Sequence, residues 1–488
     1  MKGKVKIWGL TLLAIMLVIS LAACGSKEKT PETSSTPGAT TGTGGTETAV
    51  YEENGLPKDE KVTLKFAYWE NGNGREWVDY ALKTFQEKFP NVKIDTTYSP
   101  KIDTIIGTKL AANNDEDMFD VFSTYLGASA ALGISLAQEG KIISQEDLWD
   151  RKLYDGDGKT LRELTTGLDK ATPTLIGKQY GLPYGQSVTG LFYNKSLFEK
   201  NGWNENPKTW AEFNTLVDTI KAANVIPITF PGKYPGYLQF SMGTNQMYAT
   251  ADISGNLEKF NDDYKQYKTP FYMSPESINV HNKIFELGKK KAFPDGVAAL
   301  SHTQSQMQLL QGQAAMASTG EWVQNEMKDS IPADFKWGFM LIPIGDNPDD
   351  VKYYSSHPGA GHYIWAAKPE LNKKWAQEFL LWMYNLDVQQ KFAETAGSLP
   401  VRADFMNDEA MVAKLQEAPK AVLEYMKNNK VKGASPGLRD VTLTDPNADK
   451  ALKFMEEALI DISAGKQDPL PKLEEAEKML QKAVDAQK

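Results

Sequence analysis

The sequence predicts an α/β protein, and three observations carry that prediction. Strands and helices alternate through short links along the first half, helical segments gather at the C-terminal end, and after residue 21 no apolar run is long enough to cross a bilayer. Residues 62–69 alternate apolar and polar side chains and read as a strand. Glu70 to Gly74 form a loop. In 75–89, Trp77, Ala81, Phe85 and Phe89 recur every four residues with Val78 and Leu82 beside them, which makes one apolar helix face. Pro90 and Asn91 end that helix, and 92–95 start a second strand. Short links between strand, helix and strand predict a parallel pair. A helix at 103–113 and a strand at Val121–Phe122 repeat the unit. Further strands are expected at 188–193, 225–230, 314–317, 335–344 and 362–367. Thr209 is a plausible N-cap for a helix whose apolar face is Phe213, Leu216, Val217 and Ile220. Helices are also expected at 277–289, 303–312, 373–385, 387–395 and 446–464, then, after a break at Asp468-Pro469-Leu470-Pro471, at 472–486.

The 488 residues are 41% hydrophobic and 24% charged, the composition of a soluble globular protein with real cores. Acidic residues outnumber basic ones, 63 to 54, which argues against nucleic-acid binding, because phosphate recognition needs a basic stripe. One cysteine excludes an internal disulfide framework and a Cys-rich zinc site. The four histidines, His281, His302, His357 and His362, form no metal pair at ligand spacing. No G-x-S-x-G elbow and no P-loop is present. Gly72-Asn73-Gly74 lacks the third glycine of a dinucleotide site and reads as a turn. Asp155-Gly156-Asp157-Gly158 hints at calcium but fails the EF-hand spacing and reads as a surface turn. No catalytic residue, cofactor or metal is therefore assigned. The sequence is instead rich in polar-tipped rings, 11 Trp and 20 Tyr, whose faces and hydrogen-bonding edges suit the C–H faces and hydroxyl rims of sugars. Most must be core: Trp375 and Trp382, seven apart on one helix, are packing residues. The rings of interest follow strand ends, where ligands bind in open α/β sheets.

The N-terminus has the layout of a secretory signal peptide: Lys2, Lys4 and Lys6, an apolar stretch at 8–21, then Ala22 and Ala23 before Cys24. Leu21-Ala22-Ala23-Cys24-Gly25 resembles the lipobox of bacterial lipoproteins. That resemblance implies cleavage after residue 23, diacylglycerol on the Cys24 thiol, and anchoring on the extracellular face of the cell membrane, in the Gram-positive manner. The mature chain would carry 51 basic and 63 acidic residues, a net charge of −12. Residues 25–50, dominated by Thr, Ser, Gly and Pro, read as a flexible tether with a reach of roughly 25–30 Å.

Several segments of the body together resemble one family. Tyr180-Gly181-Leu182-Pro183-Tyr184, Phe192-Tyr193-Asn194-Lys195-Ser196-Leu197-Phe198 and Pro207-Lys208-Thr209-Trp210-Ala211-Glu212-Phe213 are similar to the central signature of family 1 extracellular solute-binding proteins, the sugar-binding subunits of ABC importers. Gly312-Gln313-Ala314-Ala315-Met316 with Gly320-Glu321-Trp322 resembles a second signature, and Ala376-Gln377-Glu378-Phe379-Leu380, Gln389-Gln390 and Leu399-Pro400-Val401 a third. The resemblance runs in order over residues 60–465 and implies a two-lobed, type II periplasmic-binding-protein-like α/β fold of the maltose-binding-protein class. A ligand cleft would lie between lobes joined by a multi-segment hinge. Carried over, the crossings fall near 186–189, 357–361 and 405–411, with Gly359 and Gly361 suited to a hinge. Residues 1–23 would be the signal, 24–56 the lipidated Cys24 and tether, 57–186 plus 360–407 one lobe, and 187–359 plus 408–488 the other.

The site residues implied are Trp69, Glu70, Asn71 and Asn73 after the first strand, Thr124 and Tyr125 after the third, and Tyr184 and Gln186 at the first crossing. Tyr237, Gln239, Glu321, Trp322, Gly361 and His362 complete the set. Trp322 and Trp69 are the expected stacking faces, with Glu70 and Glu321 accepting from sugar hydroxyls. The implied function is a lipid-anchored, monomeric, non-enzymatic receptor that delivers a carbohydrate, an oligosaccharide, to an ABC permease, with no nucleic-acid partner. The alternatives at this stage are a secreted glycan-active enzyme and a sugar sensor or adhesin of the same fold.

Overall fold

The computed structural model describes residues 49–487 apart from Asn71, 124–129, Thr166, Gly359, Ala360 and Leu438. Cys24, the signal segment, the expected tether up to residue 48, and the site candidates Asn71, Thr124 and Tyr125 lie outside the described residues.

Two sheets organise the body. In the first, β1 (Val62–Trp69) is central to β2 (Val92–Ser99) and β3 (Val121–Ser123). β1 runs parallel to both, with Val62 beside Val92 and Phe66 beside Val121, as the short strand–helix–strand link requires. β9 (His362–Ile364) returns antiparallel on β3. The expected helix face is buried: Trp77, Val78, Ala81, Leu82 and Phe85 of Glu76–Lys88 pack over Leu64 and Phe66. Trp375 and Phe379 of Glu370–Trp382 join the same core, so Trp375 is a packing residue.

The second sheet has the order β11 (Val431–Ala434), β8 (Lys352–Pro358), β4 (Gly185–Asn194), β6 (Ala314–Gly320) and β5 (Ile226–Thr229). β4 is its spine, and β6, β7 (Trp337–Met340), β8 and β10 (Leu399–Pro400) all pair with it antiparallel. β5 lies parallel to β6, and β11 parallel to β8. The chain leaves the first sheet just after Leu182, which bridges His362, and enters β4 at Gly185. β8 ends at Pro358 and β9 begins at His362. Gln186 pairs with both Leu399 and Pro358, so three stretches leading between the sheets lie side by side.

Local signals act as expected at several helix starts. The Thr209 side chain accepts from the Glu212 N–H, and Ser301 with Gln304 forms a capping box. The C-terminal break is shorter than expected. Asp468 caps a helix that already begins at Pro469, because proline is tolerated in a first helical turn, where its missing N–H would have no partner. Asp155 is not a free turn carboxylate: it holds Arg402 Nη1 at 2.6 Å and accepts from the Leu386 N–H at 2.6 Å. Among the described residues no helix is long and apolar enough to cross a membrane.

The last helix, Pro469–Asp485, is locked by one carboxylate. Glu477 Oε2 accepts from the N–H groups of Phe271 (2.9 Å), Tyr272 (2.6 Å) and Met273 (3.1 Å), just ahead of the helix Pro275–Lys289. Glu477→Ala is expected to lower unfolding free energy by about 2–3 kcal/mol, since three amides lose a charged acceptor. Urea unfolding measures it, and a loss below about 0.5 kcal/mol would mean that water replaces the carboxylate.

Candidate functional site

The site is built where the loop after β1 meets the elements after β6. At the loop's base, Glu70 N–H donates to Ser99 O at 3.1 Å and the Tyr68 hydroxyl donates to Gly74 O at 2.8 Å. Asn73 Nδ2 reaches Ala396 O at 2.9 Å and Ser398 Oγ at 2.7 Å. From the other side, the turn of helix Val323–Glu326 clasps the loop: Asn325 Nδ2 donates to Gly72 O at 2.6 Å. Glu326 fills the space beside Gly72, where an added Cβ would lie 2.6 Å from its Oε1. Glu326 accepts from Gln306 Nε2 at 2.6 Å and lies 3.6 Å from His302 Nδ1. Burial pushes its carboxyl up to about 7 and pushes the His302 imidazole down.

Behind this clasp stands a wall of rings. The Trp322 ring lies across Gly320, where a Cβ would come within 2.0 Å of it, so a side chain there would displace the indole. Phe240 meets Trp322 edge-on at 5.8 Å and His357 edge-on at 5.3 Å and lies tilted against Tyr237 at 4.7 Å, and Tyr237 meets His302 edge-on at 4.8 Å. Tyr237 is held from behind, its carbonyl accepting from Ser318 Oγ of β6 at 2.6 Å. Tyr237, Phe240, Trp322 and His357 all keep solvent-exposed surface. The floor beside them is polar: Thr189 Oγ1 and His357 Nε2 are 3.3 Å apart, and Gln186 Nε2 donates to Ser356 Oγ at 2.5 Å. Rings flanked by amides, hydroxyls and a carboxyl can stack on a flat apolar face and satisfy polar groups around its rim.

The structure brings together the loop bearing Glu70 and Asn73, the turn bearing Tyr237 and Gln239, and Trp322. Trp69 is half-buried at the end of β1. Other candidates serve the interior. Glu321 is fully buried and both its carboxylate oxygens accept from the Val188 N–H, at 3.0 and 2.9 Å, while burial holds its pKa well above the usual carboxylate range. It directly follows the end of β6 and turns inward, while the next residue, Trp322, keeps exposed surface. Tyr184, 1% exposed, packs on Trp77 at 4.6 Å and His362 at 4.8 Å. His362, also 1% exposed, lies among Phe66, Tyr68 and Tyr184, and its Nε2 has no hydrogen-bond partner among the described residues. Gly361 serves a close backbone approach, since a Cβ there would lie 3.1 Å from Gly181 Cα. Sequence reasoning missed Phe240, His302, Gln306, Glu326 and His357. A signal existed for three of them: His302 and Gln306 share a helix face at i, i+4, and Glu326 lies four residues beyond Trp322.

A family model described as bacterial extracellular solute-binding protein matches residues 80–421. In sequence the chain is similar to the diacetylchitobiose binding protein NgcE of Streptomyces coelicolor, 24% identical over 380 residues that cover 75% of this chain and 76% of that protein. It is equally similar, 24% over 355 residues covering 69% of this chain and 74% of the other, to the sn-glycerol-3-phosphate-binding periplasmic protein UgpB of Brucella abortus. In structure it is similar to a chitin oligosaccharide binding protein, with TM-score 0.67 and 20% identity over 87% of this chain and 99% of that one.

The buried imidazole of His362 makes a pH prediction. Burial pushes its pKa down to about 3, against about 6.5 for a free imidazole. Below pH 6.5 the unfolded chain takes up a proton that the folded chain refuses, so stability present at neutral pH is lost as pH falls toward 3. In His362→Phe, the difference in unfolding free energy between pH 7 and pH 4 should shrink by about 2–3 kcal/mol. Urea titrations at the two pH values measure it, and an unchanged difference would mean that the imidazole is solvated.

Proposed function

The chain belongs to the bacterial extracellular solute-binding protein family, with the two-sheet, maltose-binding-protein-like α/β fold its motifs imply, and we propose that it captures a neutral oligosaccharide and presents it to the permease of an ABC importer. The observation that carries the ligand class is the ring wall of Tyr237, Phe240, Trp322 and His357 facing the amide-rich loop after β1. The two sequence relatives divide between a sugar and a phosphate ester, and the side chains favour the sugar. The wall and clasp carry Glu70 and Glu326. The arginine that directly follows the loop, Arg75, is already engaged by Asp79 at 3.0 Å and by the Tyr98 ring at 4.0 Å. A phosphate would need a free cation.

In this reading the lobes are 57–186 with 360–407 and 187–359 with 408–488, and ligand stabilises the closed arrangement through contacts made to both. No covalent chemistry is involved. The signal segment and Cys24 would place the receptor on the outer face of the cell membrane, a monomer held by its lipid.

The test is a titration panel of neutral oligosaccharides and glycerol 3-phosphate, read by tryptophan fluorescence and thermal unfolding. A true ligand at a hundredfold excess over Kd should stabilise by about 2.7 kcal/mol. Trp322→Ala should weaken binding tenfold or more while leaving the melting temperature of the free protein within a few degrees. A response to glycerol 3-phosphate alone would overturn the sugar assignment, and unchanged affinity in Trp322→Ala would misplace the site.

A further inference from the structure

One turn carries both the ring wall and a second group of unengaged side chains. The 3₁₀ segment Pro235–Phe240 ends at Phe240, against Trp322 and His357. At about 2 Å of rise per residue, Tyr234 at its other end lies roughly 12 Å away. Tyr234 is 58% exposed, and tyrosine is a residue type usually at least partly buried. Beside it, Gly236 faces the helix Pro446–Ser463, where a Cβ would lie 3.1 Å from Glu456 Oε1. Glu456 is half-buried, and among the described residues no hydrogen bond or ion pair engages its carboxylate. A half-buried carboxylate without a partner costs stability, and such groups are retained where a ligand supplies the missing donors.

We propose that Glu456 and Tyr234 form an outer subsite that extends the cleft and takes the distal ring of an oligosaccharide, Glu456 accepting from its hydroxyls and Tyr234 lying against its apolar face. The Tyr272 hydroxyl lies within electrostatic reach of the Glu456 carboxylate. That tyrosine's backbone is pinned by Glu477, with the Tyr272 N–H 2.6 Å from Oε2, and its ring edge meets Phe271 at 5.2 Å. Burial pushes the Glu456 carboxyl up and Lys453 draws it partly down, as expected of a charge held near the surface without a direct partner. Gly236 permits the approach: any side chain there would occupy the space between the turn and the carboxylate. The subsite rests on the oligosaccharide reading and adds to it a preference for chain length that the wall of rings alone does not supply.

The experiment compares affinities along two length series, N,N′-diacetylchitobiose to tetra-N-acetylchitotetraose and maltose to maltotetraose, by isothermal titration calorimetry. The proteins are the wild-type chain, Glu456→Gln and Tyr234→Ala. The longer members should bind the wild type at least tenfold more tightly than the disaccharide in whichever series it accepts. Each variant should lose most of that advantage and keep its disaccharide affinity. Glu456→Gln should also melt at or above the wild-type temperature, because it removes a half-buried charge without a direct partner, whereas a structural glutamate would leave a less stable protein. Equal wild-type affinity for short and long members, an undiminished length preference in both variants, or a uniform loss for short and long sugars would each overturn the subsite. Failure of every sugar to bind the wild-type chain would overturn the oligosaccharide reading itself, and the subsite with it.

Discussion

The structure depends on the first two residues of β4. Gly185 can carry no side chain, because a Cβ would lie 2.3 Å from the Phe392 ring. Gln186 is paired through its backbone with Leu399 on one side and Pro358 on the other. Among the described residues, the stretches at 185–186, 358 and 399–400 therefore share a strip of paired backbone, whose spacing of about 4.8 Å is set by hydrogen bonds and not by side-chain choice. Two residues further on, Glu321 fastens the Val188 N–H to the end of β6. The elements that bear Trp322, Tyr237 and Gln186 inherit their positions from that strip.

From it follows a division of labour along single elements. Glu321 and Trp322 are neighbours in the chain, yet one is an interior anchor and the other a surface ring. The turn 235–240 likewise sends Leu238 into the core while Tyr237 and Phe240 line the wall. The titratable groups sort by the same rule. Burial raises the carboxyls of Glu321 and Glu326 and lowers the imidazoles of His357 and His362, in each case against the charged form. The clasp on Gly72 is made of the Asn325 amide, which donates to the Gly72 carbonyl, and of Glu326, which the Gln306 amide holds beside it.

What was legible in the chain was local. The four-residue recurrence of Trp77, Ala81 and Phe85, the Thr209 cap and the alternation of β1 rest on interactions within a few residues, and the structure contains each of them. The loop after β1 and Trp322 were legible as candidates because motifs carry them. β8 and β11 were not foreseen. Lys352-Tyr353-Tyr354-Ser355-Ser356-His357 has no clear alternation, and it is a strand because β4 and β11 lie on either side of it. His302, Gln306 and Glu326 looked like ordinary helix residues until the fold set them around Gly72.

The sequence alone determined the α/β class, the main helix faces and caps and the family signatures, because these depend on composition and on contacts between near neighbours. The tertiary structure decided which polar residues face solvent and which are spent inside. Whether Glu321 meets a ligand or the Val188 N–H, and whether His362 lines a cleft or a core, depends on partners more than a hundred residues away. A single residue type carries no record of that pairing, since the same carboxylate or imidazole is chemically fit for either place and only the backbone register around β4 and β9 selects one.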